Sequence, residues 1–334
     1  MRVAVTQHEP VWLDLEKTID KTCDIITEAA EAGAKLVVFP SAGCQAIQVL
    51  LPVVTYDLER LTEYTAWIWS RPVDFELGVK YVENSLKIDS PQMRRIQDAA
   101  ATHDINVGLG FSERDGDSVY IAQVLIDQKG EVQMKRRKMK PTHMERTIFG
   151  DASGSCLASV VQLPENGPRV GSLACWEHIQ PLLKYYTLSQ NEQIHIAAWP
   201  PMDPFVEGSP GFWSMSAEGC RSITQTYAAE SGAFVLHCTA VLSDAGIRKM
   251  KTDGPIMGSQ IAGSSAIIGP DGRLLKAAES GSEQLIIADL NMSDVTKTKT
   301  FADAGGHYSR PDLLWLGADP TPKPVVRIAK SNGV

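Results

Sequence analysis

The sequence predicts a layered α/β fold, in which helices pack beside sheets of mixed strands. Helix and strand patterns alternate along the chain, and hairpin-like turns at 127–130 and 269–272 join consecutive strands. The chain has 334 residues, of which 43% are hydrophobic, so it can bury a large core. No linker rich in Pro, Gly or Ser divides it. We therefore predict a single domain over residues 1–316 and a C-terminal tail over 317–334.

The individual elements follow from local patterns. Apolar residues at helical spacing predict a helix over Thr18–Ala32, which Gly33 can end. Ser90 is a capping residue and Pro91 suits a first helical turn, so a second helix is predicted from there to Ala101. The predicted strands are short apolar or alternating runs: Met1–Gln7, Leu36–Phe39, Asn106–Phe111, Val119–Ile126, Glu131–Lys138, Ser264–Ile268 and Arg273–Lys276.

Composition excludes several classes of function. The net charge of -8 argues against nucleic acid as a partner, because the basic run at 135–140 is too short to outweigh it. The six cysteines are scattered without Cys-x-x-Cys pairs, which predicts reduced thiols, no metal site and no cofactor held by them. Neither a signal peptide nor an apolar run long enough to span a bilayer is present, so we expect a cytoplasmic protein that does not enter a membrane.

Cys175 is the first candidate for chemistry. It follows the apolar run Val170–Ala174 and precedes a helix-like stretch that begins near Pro181. This pattern predicts a strand, a sharp turn and a helix, with the thiol at the turn and near the positive end of the helix, where the thiolate is favoured. A free cysteine is more often a small buried hydrophobe. Cys175 differs because further candidates for the same site lie upstream of it in the sequence.

Lys138 is the second candidate. It continues the alternation of Val132, Met134 and Arg136 and so shares a face with apolar residues just before Pro141 ends the strand. A cation held there can stabilise charge that develops on a substrate. The other basic residues of this run are predicted to be a solvated strand end: Lys135, Arg136, Arg137 and Lys140.

Three long segments resemble the nitrilase family of carbon-nitrogen hydrolases: Arg137–Gly150, Cys175–Leu183 and Gly306–Trp315. Asn84–Gln92 and Ile194–Pro201 make the chain most similar to the fungal arylacetonitrilases, with cyanide hydratases as near relatives. The resemblance implies a four-layer α-β-β-α sandwich, whereas the element order alone leaves an open doubly wound sheet as an alternative. It also implies a Cys-Glu-Lys site in which a thiolate attacks a nitrile, and self-association into a homo-oligomer or spiral.

One member of that site is missing. The first catalytic glutamate of the family follows Phe-Pro at the end of the second strand, and this chain has Ser41 there. The aromatic Trp-Ile-Trp landmark at 67–69 comes later than the family spacing allows, so 41–63 is interpreted as an anomalous insert that replaces an active-site loop. Two explanations are open: an intron or wrong exon retained from the gene, which the return of the family register favours, or divergence to an inactive relative.

Other carboxylates are weaker candidates for the missing base. Glu145 resembles the second glutamate of the family and could position substrate or share proton transfer, although an ion pair with Arg146 or Arg137 would explain it equally well. Glu59 and Glu63 lie within the insert and do not keep the family spacing. A serine hydroxyl is no general base near neutral pH without a partner.

Residues around the nucleophile complete the set. Trp176 and Trp199 are predicted to line an apolar pocket for an aryl substrate, although buried tryptophans belong to the core by default. His178 could form a Cys-His dyad but is more often a packing or capping residue at such a turn, and Glu177 is predicted to be a local hydrogen-bond partner.

Three functions are therefore open. The first is a nitrilase that converts a small nitrile, of the arylacetonitrile type, to the carboxylic acid and ammonia. The second is an inactive relative that keeps the fold and its assembly surfaces, as Ser41 suggests. The third is an amidase or carbamoylase that uses the same thiol, against which the Cys-Trp-Glu sequence at Cys175 counts.

Overall fold

A computed structural model describes residues 1–41, 74–208, 211–250, 260–279, 282–324 and 326. Most of the predicted insert at 41–63, including Glu59 and Glu63, lies outside the described residues. Ser41 lies within them.

The described chain alternates helices and strands as predicted. The α-helices are α1 Leu15–Glu31, α2 Phe75–Glu83, α3 Pro91–Thr102, α4 Pro181–Leu188, α5 Ala217–Ser231, α6 Asp244–Met250 and α7 Ser293–Phe301. The strands are β1 Arg2–Gln7, β2 Leu36–Val38, β3 Asn106–Asp115, β4 Ser118–Ile126, β5 Val132–Arg137, β6 Val160–Gln162, β7 Arg169–Ala174, β8 Ile194–Ala198, β9 Phe234–Cys238, β10 Ala266–Ile268, β11 Leu274–Ala277 and β12 Gln284–Asp289. Short 3-10 helices cover His143–Thr147, Gly154–Leu157, Cys175–Ile179 and Trp213–Met215.

The strands form two six-stranded mixed sheets. The first has the order β12-β1-β2-β3-β4-β5, and the second has the order β11-β10-β9-β8-β7-β6. The inner strands β1, β2 and β3 run parallel to one another, as do β7, β8 and β9. Antiparallel partners flank each parallel core. The two sheets therefore share one plan, with parallel strands inside and antiparallel strands at the edges.

Apolar side chains join four layers. The two sheets pack face to face through a core that includes Val5, Val38, Ile196 and Leu236. Helices α1 and α3 cover the outer face of the first sheet. Helices α4 and α5 cover the outer face of the second sheet. The predicted α-β-β-α sandwich is confirmed, and burial of one face of α1, α3, α4 and α5 against the sheets holds the layers together.

Some helix and strand boundaries differ from the predicted ones, and capping side chains or strand pairing explain where they fall. Helix α1 begins three residues before the predicted Thr18, because the Asp14 carboxylate accepts the backbone N–H of Lys17. The predicted serine cap of α3 is confirmed, since Ser90 Oγ accepts the backbone N–H of Met93. Strand β3 runs four residues beyond the predicted Phe111 because it pairs with β4 as far as Asp115.

Two glycines of β3 let other chain segments approach. A Cβ added to Gly108 would lie 2.5 Å from Ile196 Cδ1 of the facing sheet. A Cβ added to Gly110 would lie 2.5 Å from the Pro40 carbonyl oxygen and 2.7 Å from Ser41 Cα. The second contact is with backbone and no rotamer change relieves it, so the absence of a side chain at Gly110 fixes where the chain leaves β2.

The end of the described chain touches the domain. The backbone N–H of Lys323 donates to Ser153 Oγ at 2.6 Å, and a Cβ on Gly154 would meet the backbone of residues 319–321. The predicted boundary at 316/317 remains a prediction. Among the described helices, none combines the length and the apolar character needed to cross a bilayer.

Gly110→Ala is expected to destabilise the fold by about 1–3 kcal/mol, because the new methyl group meets backbone that cannot rotate away. Gly78→Ala is the matched control, since a Cβ at this position of α2 meets nothing within 4 Å. The control is expected to stabilise the protein by up to about 1 kcal/mol. Urea unfolding of both variants tests the expectation, and equal effects would contradict it.

Candidate active site

Cys175 stands at the carboxyl end of β7 in a strained conformation. Its φ of 53° lies in the left-handed region, which residues other than glycine rarely adopt. The side chain is buried among Leu173, Leu183 and Trp199 at the junction of the second sheet and its helices. A strained non-glycine residue persists only where its surroundings hold it, and such residues cluster at functional sites. The predicted strand and turn are thus confirmed, with a 3-10 helix inserted before α4.

The prediction that this position favours the thiolate is wrong for the resting site. Burial raises the pKa of the Cys175 thiol to about 12, and the Glu145 and Glu177 carboxylates act in the same direction. The positive charge of Lys138 and a bond from the Trp176 backbone oppose them but do not prevail. Near neutral pH the sulfur therefore carries its proton, so nucleophilic attack needs a base that removes it.

Lys138 follows β5 and is buried on the face predicted by the strand alternation. Its Nζ donates to Glu145 Oε2 at 2.7 Å, and its backbone N–H donates to the Ile121 carbonyl. Burial works against the charged amine, but the Cys175 sulfur, once ionised, and the Glu145 carboxylate outweigh it and raise the pKa of Lys138. The structure thus brings the three predicted catalytic residues into one electrostatic group and keeps the lysine charged.

Glu145 lies in the 3-10 helix that follows Lys138. Its Oε2 also accepts the backbone N–H of Thr142 at 2.5 Å, in a capping box that fixes the carboxylate. The alternative ion pairs expected for Glu145 are not those found. Arg137 binds Glu113 and Asp115, and Arg146 Nε donates to a backbone carbonyl.

Arg136 corrects the interpretation of the basic run. It was expected in solvent, but it is completely buried and forms two hydrogen bonds with Glu177, at 2.7 and 2.8 Å. The strand alternation that carries Lys138 inward also carries Arg136 inward. Lys140 is exposed as expected, whereas Lys135 and Arg137 are largely covered in ion pairs with Glu113.

Glu177 is a hydrogen-bond partner, as predicted, but over a longer range. Besides binding Arg136, it accepts the backbone N–H groups of Ala174 and Met139, both at 2.8 Å. Ala174 precedes Cys175 and Met139 follows Lys138. One carboxylate therefore connects the end of β7, next to Cys175, with the end of β5, next to Lys138.

His178 does not contact the sulfur in the described arrangement. Its Nδ1 lies 2.7 Å from the Cys175 carbonyl oxygen, and its Nε2 lies 3.0 Å from Nε2 of His195. The ring stacks on Trp199, with a centroid separation of 5.4 Å. The packing role expected for His178 is therefore found, and the Cys-His dyad is not.

The two tryptophans differ in exposure. Trp199 is completely buried in the core beneath the site, and Trp176 is half-buried and meets it edge to face at 6.5 Å. Only Trp176 has a free surface that a substrate could reach. The pocket role of both residues remains a prediction.

Ser41 is buried three residues after the end of β2, at the position where the resemblance implies a glutamate. Its Oγ has no hydrogen-bond partner among the described residues. The hydroxyl thus brings no negative charge to this position.

Several buried polar residues of this region were not predicted. They are Arg136, Glu192, His195 and Tyr227. His195 had a signal in the sequence, since it interrupts the apolar strand Ile194–Ala198 with an ionisable side chain. Within the part of the chain that the structure describes, no three His, Cys, Asp or Glu side chains are placed to hold a metal ion.

Known proteins resemble this chain in sequence. The sequence profile of the carbon-nitrogen hydrolase family matches residues 2–300. An arylacetonitrilase of Hypocrea virens is 55% identical over 98% of this chain and 94% of that protein. Arylacetonitrilases of Aspergillus kawachii and Aspergillus niger are 52% and 53% identical, over 98% and 96% of this chain and 94% and 92% of those proteins.

Solved structures support the fold. A mutant of the Nesterenkonia AN1 amidase, from the nitrilase superfamily, superposes with a TM-score of 0.61 at 17% identity, over 89% of this chain and 93% of that one. A second mutant of that amidase, with an acetamide moiety covalently added at its active-site cysteine, gives 0.60 at 18% identity, over 89% and 92% of the two chains. Because of the profile match and these identities, the chain belongs to the carbon-nitrogen hydrolase family.

Proposed function

We propose that this protein is a nitrilase that hydrolyses arylacetonitrile-like substrates to the carboxylic acid and ammonia. The observation that carries the proposal is the buried group of Cys175, Lys138 and Glu145, in a chain more than half identical to a named arylacetonitrilase. The Cys175 sulfur would act as the nucleophile, Lys138 as the fixed cation and Glu145 as the proton carrier. No cofactor enters this chemistry.

The first half-reaction adds the thiol to the nitrile. The Cys175 sulfur bonds to the nitrile carbon, its proton passes to the Glu145 carboxylate, and the nitrogen then takes that proton to give a thioimidate. Proton removal must accompany attack, because burial raises the pKa of Cys175 to about 12. Lys138 stabilises the negative charge that develops on nitrogen, since a fixed buried cation needs no reorganisation.

The second half-reaction uses two waters. The first adds to the thioimidate carbon, ammonia leaves, and a thioester remains on Cys175. The second water cleaves the thioester, which releases the acid and returns the proton to sulfur. Both additions need a base, and with Ser41 in the family's glutamate position only Glu145 of the group is available among the described residues. We therefore expect slow turnover.

The proposed partners are a small nitrile and further copies of the chain. Exposed apolar side chains lie in the segment Gly306–Trp315, among them Tyr308, Leu313 and Leu314. Covering them would favour association, and an open spiral would need a heterologous contact. We also propose a cytoplasmic location with no nucleic-acid or membrane partner, in keeping with the net charge of -8.

Cys175→Ala is expected to lower kcat for phenylacetonitrile by about 10⁴-fold or more, because it removes the nucleophile. Cys238→Ala is the control, since Cys238 is equally buried but lies within β9. Ammonia release measures both. Turnover retained in the Cys175 variant would reject the covalent mechanism.

Lys138→Met is expected to lower kcat by about 10²–10³-fold, because no cation then meets the charge on nitrogen. It also leaves the Glu145 carboxylate without its ion-pair partner, so a loss of about 3–5 kcal/mol in unfolding free energy should accompany it. Lys140→Met, two residues along and exposed, controls for loss of a lysine. Equal kinetics for the two variants would contradict the assigned role.

Replacing residues 41–63 with a short loop that begins with glutamate after Pro40 is expected to raise kcat by about 10²–10⁴-fold, because it restores a positioned base. The same loop beginning with glutamine is the control and should remain slow. If the unrepaired chain is as fast as the repaired one, another carboxylate serves as the base, and Glu145→Gln is the next variant to measure.

Self-association is expected at micromolar concentration and is measured by light scattering. Leu314→Lys, at an 81% exposed position, should reduce the mean mass if this segment lies at a subunit contact. A wild-type chain that stays monomeric would contradict the expectation.

A further inference from the structure

A chain of buried hydrogen bonds ends on the backbone of the nucleophile. Tyr227 donates its hydroxyl to Glu192 Oε1, and Glu192 Oε2 lies 2.7 Å from His195 Nδ1. His195 Nε2 lies 3.0 Å from His178 Nε2, and His178 Nδ1 lies 2.7 Å from the Cys175 carbonyl oxygen. The four side chains are at most 1% exposed, so water does not substitute for any of these contacts.

The direction of every bond follows from its final acceptor. A carbonyl oxygen can only accept, so His178 Nδ1 carries a hydrogen. Burial and the neighbouring His195 hold the pKa of His178 well below its usual range, so its ring is neutral and its Nε2 accepts. His195 Nε2 must therefore carry a hydrogen and donate it to His178.

The remaining contact then holds one proton between His195 and Glu192. The pair is either an imidazolium with a carboxylate or a neutral imidazole with a protonated carboxyl group. Both states have no net charge, and in both the Tyr227 hydroxyl donates to the other carboxyl oxygen. The hydrogen bonds from His195 to His178 and from His178 to the Cys175 carbonyl are thus both donated in the direction of Cys175. All four side chains take part in this hydrogen-bond network.

Glycine in β7 makes room for this arrangement. A Cβ added to Gly171 would lie 1.9 Å from Glu192 Oε2. Any other residue would displace the carboxylate from His195. Gly171 lies in β7, four residues before Cys175, so the strand that leads to the nucleophile also makes room for the Glu192 carboxylate.

We propose that His178, His195 and Glu192 are positioning residues for the Cys175 nucleophile. They hold the Cys175 carbonyl, and with it the peptide plane that follows the strained residue, so that the sulfur keeps its direction. Glu192 and His195 act only through His178, by keeping its hydrogen on Nδ1. The inference rests on the proposed function only in taking Cys175 as the nucleophile.

The first test compares His178→Asn with His178→Leu, which are similar in size but differ in their ability to donate to the Cys175 carbonyl. The reaction is alkylation by iodoacetamide, in which sulfur bonds to carbon, iodide leaves and the thiol proton passes to solvent. Peptide mass analysis locates the adduct on Cys175. We expect the leucine variant to react about 10–100-fold more slowly and the asparagine variant to stay within about threefold of wild type.

Nitrile turnover supplies a second readout. For His178→Leu, kcat should fall in parallel with the alkylation rate while KM changes by less than about threefold, because substrate contacts are not removed. Thermal unfolding is measured for each variant, and rates are compared at a temperature where all are folded. Alkylation of the leucine variant at the wild-type rate, or equal slowing of both variants, would overturn the proposal.

A second pair of variants, at Glu192, lies farther from the sulfur. It tests the proposal if His178→Leu does not fold. In Glu192→Gln the amide donates to His195 Nδ1 and its oxygen accepts from Tyr227, so the direction of the chain is kept with a neutral His195. Glu192→Met keeps the length but neither function. We expect the Glu192→Gln variant to be alkylated within about threefold of the wild-type rate and the Glu192→Met variant to be alkylated about tenfold more slowly. Equal alkylation rates for the two variants would contradict the proposal.

The two proposals fail separately in these experiments. If the wild-type chain is alkylated at Cys175 but hydrolyses no nitrile, the proposed function is wrong and the alkylation rates still test the positioning. If nitriles are hydrolysed and the rates of the matched variants do not separate, the positioning is wrong and the proposed function stands.

Discussion

The buried ion pair between Arg136 and Glu177 is the interaction on which the site depends. Arg136 comes from β5 of the first sheet, and Glu177 follows β7 of the second, so the pair joins the two halves of the sandwich. Glu177 also accepts the N–H groups of Ala174 and Met139, next to Cys175 and Lys138. A buried pair of this kind adds little net stability, but loss of one partner leaves an uncompensated charge. Its role is to set the relative position of two strand ends.

The high pKa of the resting Cys175 thiol follows from its burial and from the buried charges around it. Two buried carboxylates oppose ionisation of the thiol, and one lysine does not offset both them and the burial. The site therefore keeps its nucleophile protonated until a base acts, so in the proposed mechanism a serine rather than a glutamate at position 41 is costly. Strain at the left-handed Cys175 is about 1–3 kcal/mol, comparable to what the hydrogen bonds on its carbonyl and on Ala174 can supply.

The sequence predicted the parts of the structure that depend on local pattern. Strand alternation located Lys138 on an inner face, and Ser90 marked the start of α3. The same alternation would have placed Arg136 inside, but the partner that makes a buried arginine tolerable lies 41 residues away, in the 3-10 helix that follows a strand of the other sheet. Contacts of this kind depend on the assembled fold.

Other features have no local signal at all. The thiol pKa of Cys175 depends on burial and on charges from three separate segments. Gly110 and Gly171 are required by atoms of Pro40 and Glu192, which approach them only in the folded chain. The bond directions around His178 follow only once all four side chains are placed. These features come from packing between strands that are distant in sequence.

A double-mutant cycle on the ion pair tests this account most directly. Arg136→Met, Glu177→Gln and the double variant are compared by urea unfolding and by the rate of Cys175 alkylation. The account predicts that each single change costs about 3–5 kcal/mol, and that the double change costs at least about 2 kcal/mol less than their sum. It also predicts slower alkylation in both single variants. Additive unfolding energies with wild-type alkylation rates would contradict it.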